Sequence, residues 1–177
     1  LTSLGVQSSF ENLENYLIID IGGQSTELIT DIDNKLNIQS ENIGVVSLSE
    51  NYFIENPINI DKERDAKNFF NDIFQDKDYG HRQLIGVSGT FTSLGSIYLN
   101  QKIYDENEID KVIISYDSVE NIYEDFKTLT VPQIINAYPS LDPKRAVTMT
   151  SGLFLVKNLL KKYKITQLKV SKSDILE

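Results

Sequence analysis

The stretch Leu17-Ile-Ile-Asp-Ile-Gly-Gly-Gln-Ser-Thr-Glu-Leu-Ile29 joins two apolar runs through an acid, two glycines and a hydroxyl pair. It reads as strand, tight turn, strand. Gly22 and Gly23 permit turn conformations closed to other residues and leave no side chain in the way of a ligand. Successive N–H groups in such a turn form an anion-binding concavity, to which Ser25 and Thr26 add hydroxyls. Asp20 and Glu27 flank it, oxygen ligands suited to a hydrated divalent cation or to orienting a water. A Gly-Gly turn is also an ordinary hairpin connection. A phosphate role for this one gains weight from a second turn of the same kind further along the chain.

That second glycine-hydroxyl turn lies in Leu84-Ile-Gly-Val-Ser-Gly-Thr-Phe-Thr-Ser-Leu-Gly-Ser-Ile97. A short apolar strand runs into Ser88-Gly89-Thr90 and then into helical spacing at Leu94, Ile97 and Tyr98. A helix N-terminus after a glycine turn offers unpaired N–H groups and the positive end of the dipole, which suits a phosphate. Without a ligand, the same residues serve as a capped helix start, with Ser88 or Thr90 as N-cap. Neither turn is a P-loop, because no Gly-Lys-Ser/Thr follows. Gly86-Val-Ser-Gly-Thr90 also lacks the final glycine of a nucleophile elbow.

Around these turns the chain alternates between strand and helix patterns. Strands are expected at Tyr16 to Ile21, Thr26 to Thr30 and Lys35 to Ile43, with a turn over Asp31 to Asn34. Helices are expected at Val46 to Phe53 and Asp61 to Phe74, then a strand at Gln83 to Val87 and a helix at Thr90 to Leu99. After the polar stretch Gln101 to Lys111 come a strand at Val112 to Ile114 and a helix at Ser115 to Leu129, capped by Asp117 or Ser118. A long helix from Arg145 to Tyr163 and a strand at Leu168 to Val170 complete the pattern. A strand meander followed by alternating helices and strands is the pattern of an α/β domain with a mixed sheet flanked by helices.

Composition sets bounds on partners. With 177 residues and 40% hydrophobic content, residues 1–177 make one domain with a substantial core. No apolar run reaches a membrane span and no signal peptide is visible. The absence of cysteine excludes disulfides and thiolate metal sites and fits a cytoplasmic setting. A net charge of −9 argues against a nucleic-acid platform. It also opposes a polyanionic ligand unless local N–H donors and bound cations offset it. Lys157, Lys161, Lys162, Lys164, Lys169 and Lys172 tilt the last quarter toward basic, read as a solvated face. His81, the single histidine, reads as a surface residue of a polar loop. Arg145 is suited either to a phosphate, through its planar fork, or to an ion pair with Asp142.

In order along the chain, these segments resemble the exopolyphosphatase/guanosine pentaphosphate phosphohydrolase (Ppx/GppA) family, within the actin and sugar-kinase superfamily. Asp20-Ile-Gly-Gly-Gln-Ser-Thr-Glu-Leu28 is similar to the family's D-I-G-G-G-S-T-E-L, with Gln24 in place of the third glycine. Ile43-Gly-Val-Val-Ser-Leu-Ser-Glu50 resembles G-x-V-x-L-T-E, and Ile85-Gly-Val-Ser-Gly-Thr90 resembles the G-x-G/S-G-T turn. Leu141-Asp-Pro-Lys-Arg-Ala146 resembles L-x-x-x-R-A, though Val147 stands where many members carry an acid. Val170-Ser171 with Ile175-Leu-Glu177 resembles the closing V-S-x-x-x-L-R-E.

The resemblance implies an actin-like ATPase (ribonuclease-H-like) fold and hydrolysis of a terminal phosphoanhydride with Mg²⁺ or another divalent cation. Polyphosphate or guanosine penta/tetraphosphate are the implied ligands, in the setting of the stringent response. Gly22, Gly23, Gln24, Ser25 and Thr26 then cradle phosphates, Asp20 and Glu27 hold the cation, and Glu27 orients the attacking water. Ser88, Gly89, Thr90 and Arg145 meet a second phosphate or a nucleoside. The family's earlier domain, with a D-x-G-S-N-S/T loop and a Glu in an S-G-x-E-E-A run, has no counterpart here. Leu4-Gly-Val6 resembles the segment just after that Glu. The expectation is therefore the second domain of a two-domain core, carrying one wall of the site and inactive alone, with the N-terminal domain as its partner. A homodimer stays open. Two other classes compete: a kinase or chaperone-like ATPase of the same superfamily, and a non-catalytic alarmone-binding module.

Overall fold

The near-continuous apolar run of Tyr16–Ile21 forms a strand at the centre of a six-stranded mixed sheet. The computed structural model describes residues 16–32, 35–79 and 81–172. In chain order the elements are β1 (Tyr16–Ile21), β2 (Thr26–Ile32), β3 (Lys35–Glu41), α1 (Val45–Asn51), α2 (Ile60–Ile73), β4 (Gln83–Val87) and α3 (Ser88–Tyr98). They continue with α4 (Glu106–Ile109), β5 (Ile113–Ser115), α5 (Tyr116–Phe126), α6 (Val131–Ala137), α7 (Pro143–Ala146), α8 (Met149–Lys162) and β6 (Gln167–Val170). The sheet order is β3-β2-β1-β4-β6-β5. β1, β2 and β3 form the antiparallel meander, β4 and β6 extend it in parallel from β1, and β5 closes the edge antiparallel to β6.

Successive strand residues point to opposite faces, and both faces of β1 are apolar. Leu17, Ile19 and Ile21 join the main core with Leu28, Leu84, Leu168 and Val170. Ile18 faces the other way and forms a smaller cluster with Ile29, Ile85 and Val87. Helix α8 is the hub of the main core, buried almost continuously from Met149 to Leu160, with Thr150, Ser151 and Asn158 among the buried residues. Phe154 on α8 meets Phe53, Phe70 and Tyr123 at ring-centroid distances of 5.1, 6.3 and 6.1 Å. These contacts tie α2, α5 and the segment just after α1 to one helix.

Most expected elements are present with ends moved by a few residues. Three differ for local physical reasons. The helix expected from Arg145 to Tyr163 is two helices, with Val147 and Thr148 between them in a turn. The cap of α5 is Ser115, whose Oγ accepts the Ser118 N–H, so neither Asp117 nor Ser118 is the cap. Two helices, α4 and α6, occur where no element was expected; α6 starts at a Thr130/Gln133 capping box with Pro132 in its first turn. Of the turn expected over Asp31 to Asn34, residues 33 and 34 lie outside the described residues, as do Leu4 to Val6 and residues 173–177.

Candidate functional site

The two glycine turns meet. β1 and β4 run parallel with Asp20 opposite Val87, so both strands end side by side and hand over to their turns at the same edge. Ligands of open α/β sheets bind at the carboxyl ends of such strands. Thr90 Oγ1 donates to the Ile21 carbonyl at 2.9 Å and Ser88 Oγ to the same oxygen at 3.4 Å, lacing the second turn to the first. Between them is a cavity of about 220 Å³, lined by Gly22, Gly23, Ser88, Gly89, Thr90 and Arg145 from the expected set. Val45 of α1 and Thr148, Met149 and Gly152 beside and within α8 close its other side.

Ser88 takes a left-handed backbone (φ 74°), and α3 begins at this residue. Strain of this kind clusters at ligand sites. No side chain caps α3 and no acid stands in its first turn, so the positive end of its dipole is not neutralised locally. Every residue lining the cavity is uncharged or cationic, which answers the objection raised by the net charge of −9.

The glycine turn is held from its carbonyl side. Gly22 N–H donates to Ser25 O at 2.9 Å. The Gly22 carbonyl accepts from Val45 N–H, and the Gly23 carbonyl accepts from the N–H groups of Val46 and Ser47. The first free donors of α1 are thus spent on fixing the turn. Gly44 permits this approach: a Cβ there would lie 2.5 Å from both the Gly22 and Gly23 carbonyl oxygens. Gly44 belongs to the site's support, a role that its sequence motif alone does not reveal; a glycine directly before an apolar helix start is the available signal.

Arg145 does not form the expected ion pair with Asp142. Its Nη1 donates to the Gly89 carbonyl at 2.7 Å and to Ser93 Oγ at 3.1 Å. The Asp142 carboxylate instead accepts the Lys144 N–H at 2.8 Å, capping α7. The guanidinium packs so closely that a Cβ on Gly89 would lie 2.4 Å from it.

Two expected phosphate hydroxyls are committed elsewhere. Thr26 is fully buried and its Oγ1 donates to Ile43 O at 2.6 Å, so this side chain braces the meander. Thr90 spends its proton on Ile21 O. Gln24 is exposed and Ser25 half-exposed, on the same turn but outside the cavity lining. Asp20 and Glu27 face each other across β1 and β2, one residue back from the turn and away from the cavity lining. Ser40 Oγ donates to Glu27 Oε1 at 2.9 Å. Among the described residues no group of three or more His, Cys, Asp or Glu could hold a metal ion. Two carboxylates in register still fit a hydrated hard cation such as Mg²⁺, which keeps several waters and takes one or two carboxylates. Of the lysines in the last quarter, Lys157 pairs with Glu120 and Glu124 and Lys162 with Asp76. No described helix is long and apolar enough to cross a membrane.

Residues 1–175 match the model of the Ppx/GppA phosphatase family. The chain belongs to that family. A bifunctional 3-dehydroquinate synthase/phosphatase of Fusobacterium nucleatum is 29% identical over 97% of this chain and 27% of its own length. A guanosine-5'-triphosphate,3'-diphosphate pyrophosphatase of Pseudoalteromonas atlantica is 27% identical over 98% of this chain and 34% of its own length. The chain therefore spans about a third or less of these curated relatives. Among solved structures, the type II variant of the Aquifex aeolicus Ppx/GppA phosphatase superposes with a TM-score of 0.81 at 21% identity, covering 97% of this chain and 58% of that one. An exopolyphosphatase from Cytophaga hutchinsonii gives 0.78 at 23% identity, covering 97% and 57%. The sheet and its helices thus have the actin-like ATPase fold of Ppx/GppA domains.

Proposed function

We infer that this Ppx/GppA chain supplies one wall of a phosphohydrolase cleft that releases the terminal phosphate of polyphosphate or guanosine pentaphosphate. The observation that carries the reading is the convergence of the Gly22-Gly23 and Ser88-Gly89-Thr90 turns with Arg145 around one acid-free cavity. That arrangement brings two glycine turns, the N-terminal end of α3 and a guanidinium to one place, which suits a phosphate chain. The opposite wall of the cleft belongs to a preceding domain of the same protein, in keeping with the 57% and 58% coverage of the solved relatives.

In the reaction, water attacks the terminal phosphorus in line, the new P–O bond forms, and the bridging P–O bond breaks toward the shortened chain. Donors from the two turns and Arg145 stabilise the charge that builds on the non-bridging oxygens, the largest catalytic contribution expected in such a site. Asp20 and Glu27 would hold a divalent cation, which when bound neutralises phosphate charge. Glu27, fixed by Ser40, orients the attacking water.

The test is phosphate release by the full-length protein with Mg²⁺, offered polyphosphate, guanosine pentaphosphate and ATP separately. Glu27→Gln should lower kcat at least a hundredfold while the fold is kept. Release confined to ATP, or a Glu27→Gln variant as active as the parent, would refute the assignment.

A further inference from the structure

β4 carries the candidate site at its carboxyl end, and a separate cavity of about 310 Å³ lies at its other end. Gln83 and Gln167, the first residues of β4 and β6, line it together with His81, Arg82, Lys164 and Thr166. No acid lines it, in a chain of net charge −9. Every polar side chain there can donate a hydrogen bond, and Arg82 and Lys164 can only donate. Asp76 pairs with Lys162 at 2.9 Å and stays outside the lining.

None of the ion pairs among the described residues involves Arg82 or Lys164. Arg82 is half-buried and fixed: its Nη1 donates to Tyr79 O at 3.1 Å, and its Nε, shielded from solvent, has no partner among the described residues. Lys164 ends α8. Its N–H donates to the Lys161 carbonyl at 3.3 Å and the Ile165 N–H to the Leu160 carbonyl at 2.9 Å, the paired turn that closes many helices. The residue between them takes a left-handed backbone, and Lys164 does so (φ 56°) where glycine is the usual occupant. The carbonyls of Leu159, Leu160 and Lys161 all accept main-chain N–H groups, so the Lys164 ammonium is not needed to cap them. A lysine at a glycine position, on the wall of an acid-free cavity, is strain of the kind that gathers at ligand sites.

We propose that this cavity is a second anion site, remote from the cradle, and that it takes a phosphate group. Several donors and two fixed positive charges around one space match an anion with several acceptor oxygens. A neighbouring cavity of about 590 Å³ shares Lys164, Ile165 and Thr166 and adds Tyr116 and Leu160, apolar surface for an organic group carried on the phosphate. The site does not depend on the phosphohydrolase reading of the cradle.

The experiment is a titration of the full-length protein with inorganic phosphate, followed by backbone amide NMR shifts. Residues 81–83 and 164–167 report this cavity, and Gly22, Gly23 and Ser88 to Thr90 report the cradle. Phosphate should shift both sets, while chloride at equal ionic strength shifts neither. Lys164→Gly and Arg82→Gln should each weaken binding at the first set about tenfold and leave the cradle set as in the parent. Glycine relieves the left-handed backbone, so the denaturant midpoint of Lys164→Gly should equal or exceed the parent's, and its lost binding is not lost fold. Phenyl phosphate, titrated in the same way, separates the two sources of the group: tighter binding than inorganic phosphate assigns a monoester, equal or weaker binding the free ion. Shifts confined to the cradle set, chloride shifts as large as those of phosphate, or both variants binding like the parent would overturn the proposal. Shifts at residues 81–83 and 164–167 alone would leave this site standing and remove the cradle as a phosphate site.

Discussion

Arg145 acts on the second turn through that turn's main chain. Its guanidinium holds the Gly89 carbonyl and the hydroxyl of the buried Ser93, and so fixes a turn whose first residue, Ser88, has a left-handed backbone. Arg145→Ala leaves both acceptors without that donor. Because Arg145 itself is exposed, the expected cost is about 1 to 2 kcal/mol, below that of a fully buried charged hydrogen bond. Binding of inorganic phosphate should weaken at least tenfold, and Arg145→Lys should restore the charge but not the fork. Denaturant melts and a phosphate titration check both, and an unaltered phosphate affinity in Arg145→Ala would remove Arg145 from the site. At this scale the sequence showed which residue types gather but not where hydroxyls point. Thr26 and Thr90 look alike as phosphate donors in one dimension. Both are instead hydrogen-bonded to carbonyls, of Ile43 and Ile21, brought near only by the meander and the β1–β4 pairing.

The elements differ in how well local signals announce them. β1, β4 and the apolar face of α2 were legible because short continuous apolar runs and helical spacing are strong there. α4 and α6 were not, being too short for periodicity to register, although the Thr130-x-x-Gln133 box marked the start of α6. The docking of α1 on the glycine turn is also an element-scale property. Gly44→Ala places a methyl against two carbonyl oxygens, so either the helix backs away or the turn opens. The expected result is a loss of about 2 to 3 kcal/mol with weakened phosphate binding; a variant as stable as the parent would show that α1 does not set the turn. A second junction, between α5 and α8, is ionic. Burial pushes the Glu124 carboxyl up, but hydrogen bonds and charge from Lys127 and Lys157 outweigh it, and its pKa ends below the ordinary 4.5. A depressed folded pKa stabilises fully above the unfolded value and is lost as pH falls through the folded one. Glu124 is 44% exposed, so the contribution is about 0.5 kcal/mol. The stability difference between parent and Glu124→Gln should hold from pH 7 to about 5 and shrink below 4. A difference that grows on acidification would contradict the pairing.

For the molecule as a whole, the candidate site and the core occupy different parts of the α/β fold, and the division is testable. Phe154 packs against Phe53, Phe70 and Tyr123 and is 2% exposed, so it joins the segment after α1 to α2, α5 and α8. It does not line the phosphate cavity, to which α8 contributes only Met149 and Gly152 at its beginning. The sequence marked Phe154 as one apolar residue of a long helix. Its place at the hub depends on contacts across the chain, which one-dimensional periodicity cannot encode. Phe154→Ala removes most of an aromatic side chain from a packed interior, with an expected cost of about 3 to 5 kcal/mol. The denaturant midpoint should fall with the slope unchanged, since the surface exposed on unfolding is nearly the same. Phosphate affinity of the molecules still folded should equal that of the parent, because the two turns are braced by α1, Ile21 and Arg145 rather than by the aromatic hub. A loss of affinity in step with stability would instead mean that α8 transmits packing at Phe154 to Gly152 and Thr148 at the cavity wall. Core and site would then be one cooperative unit.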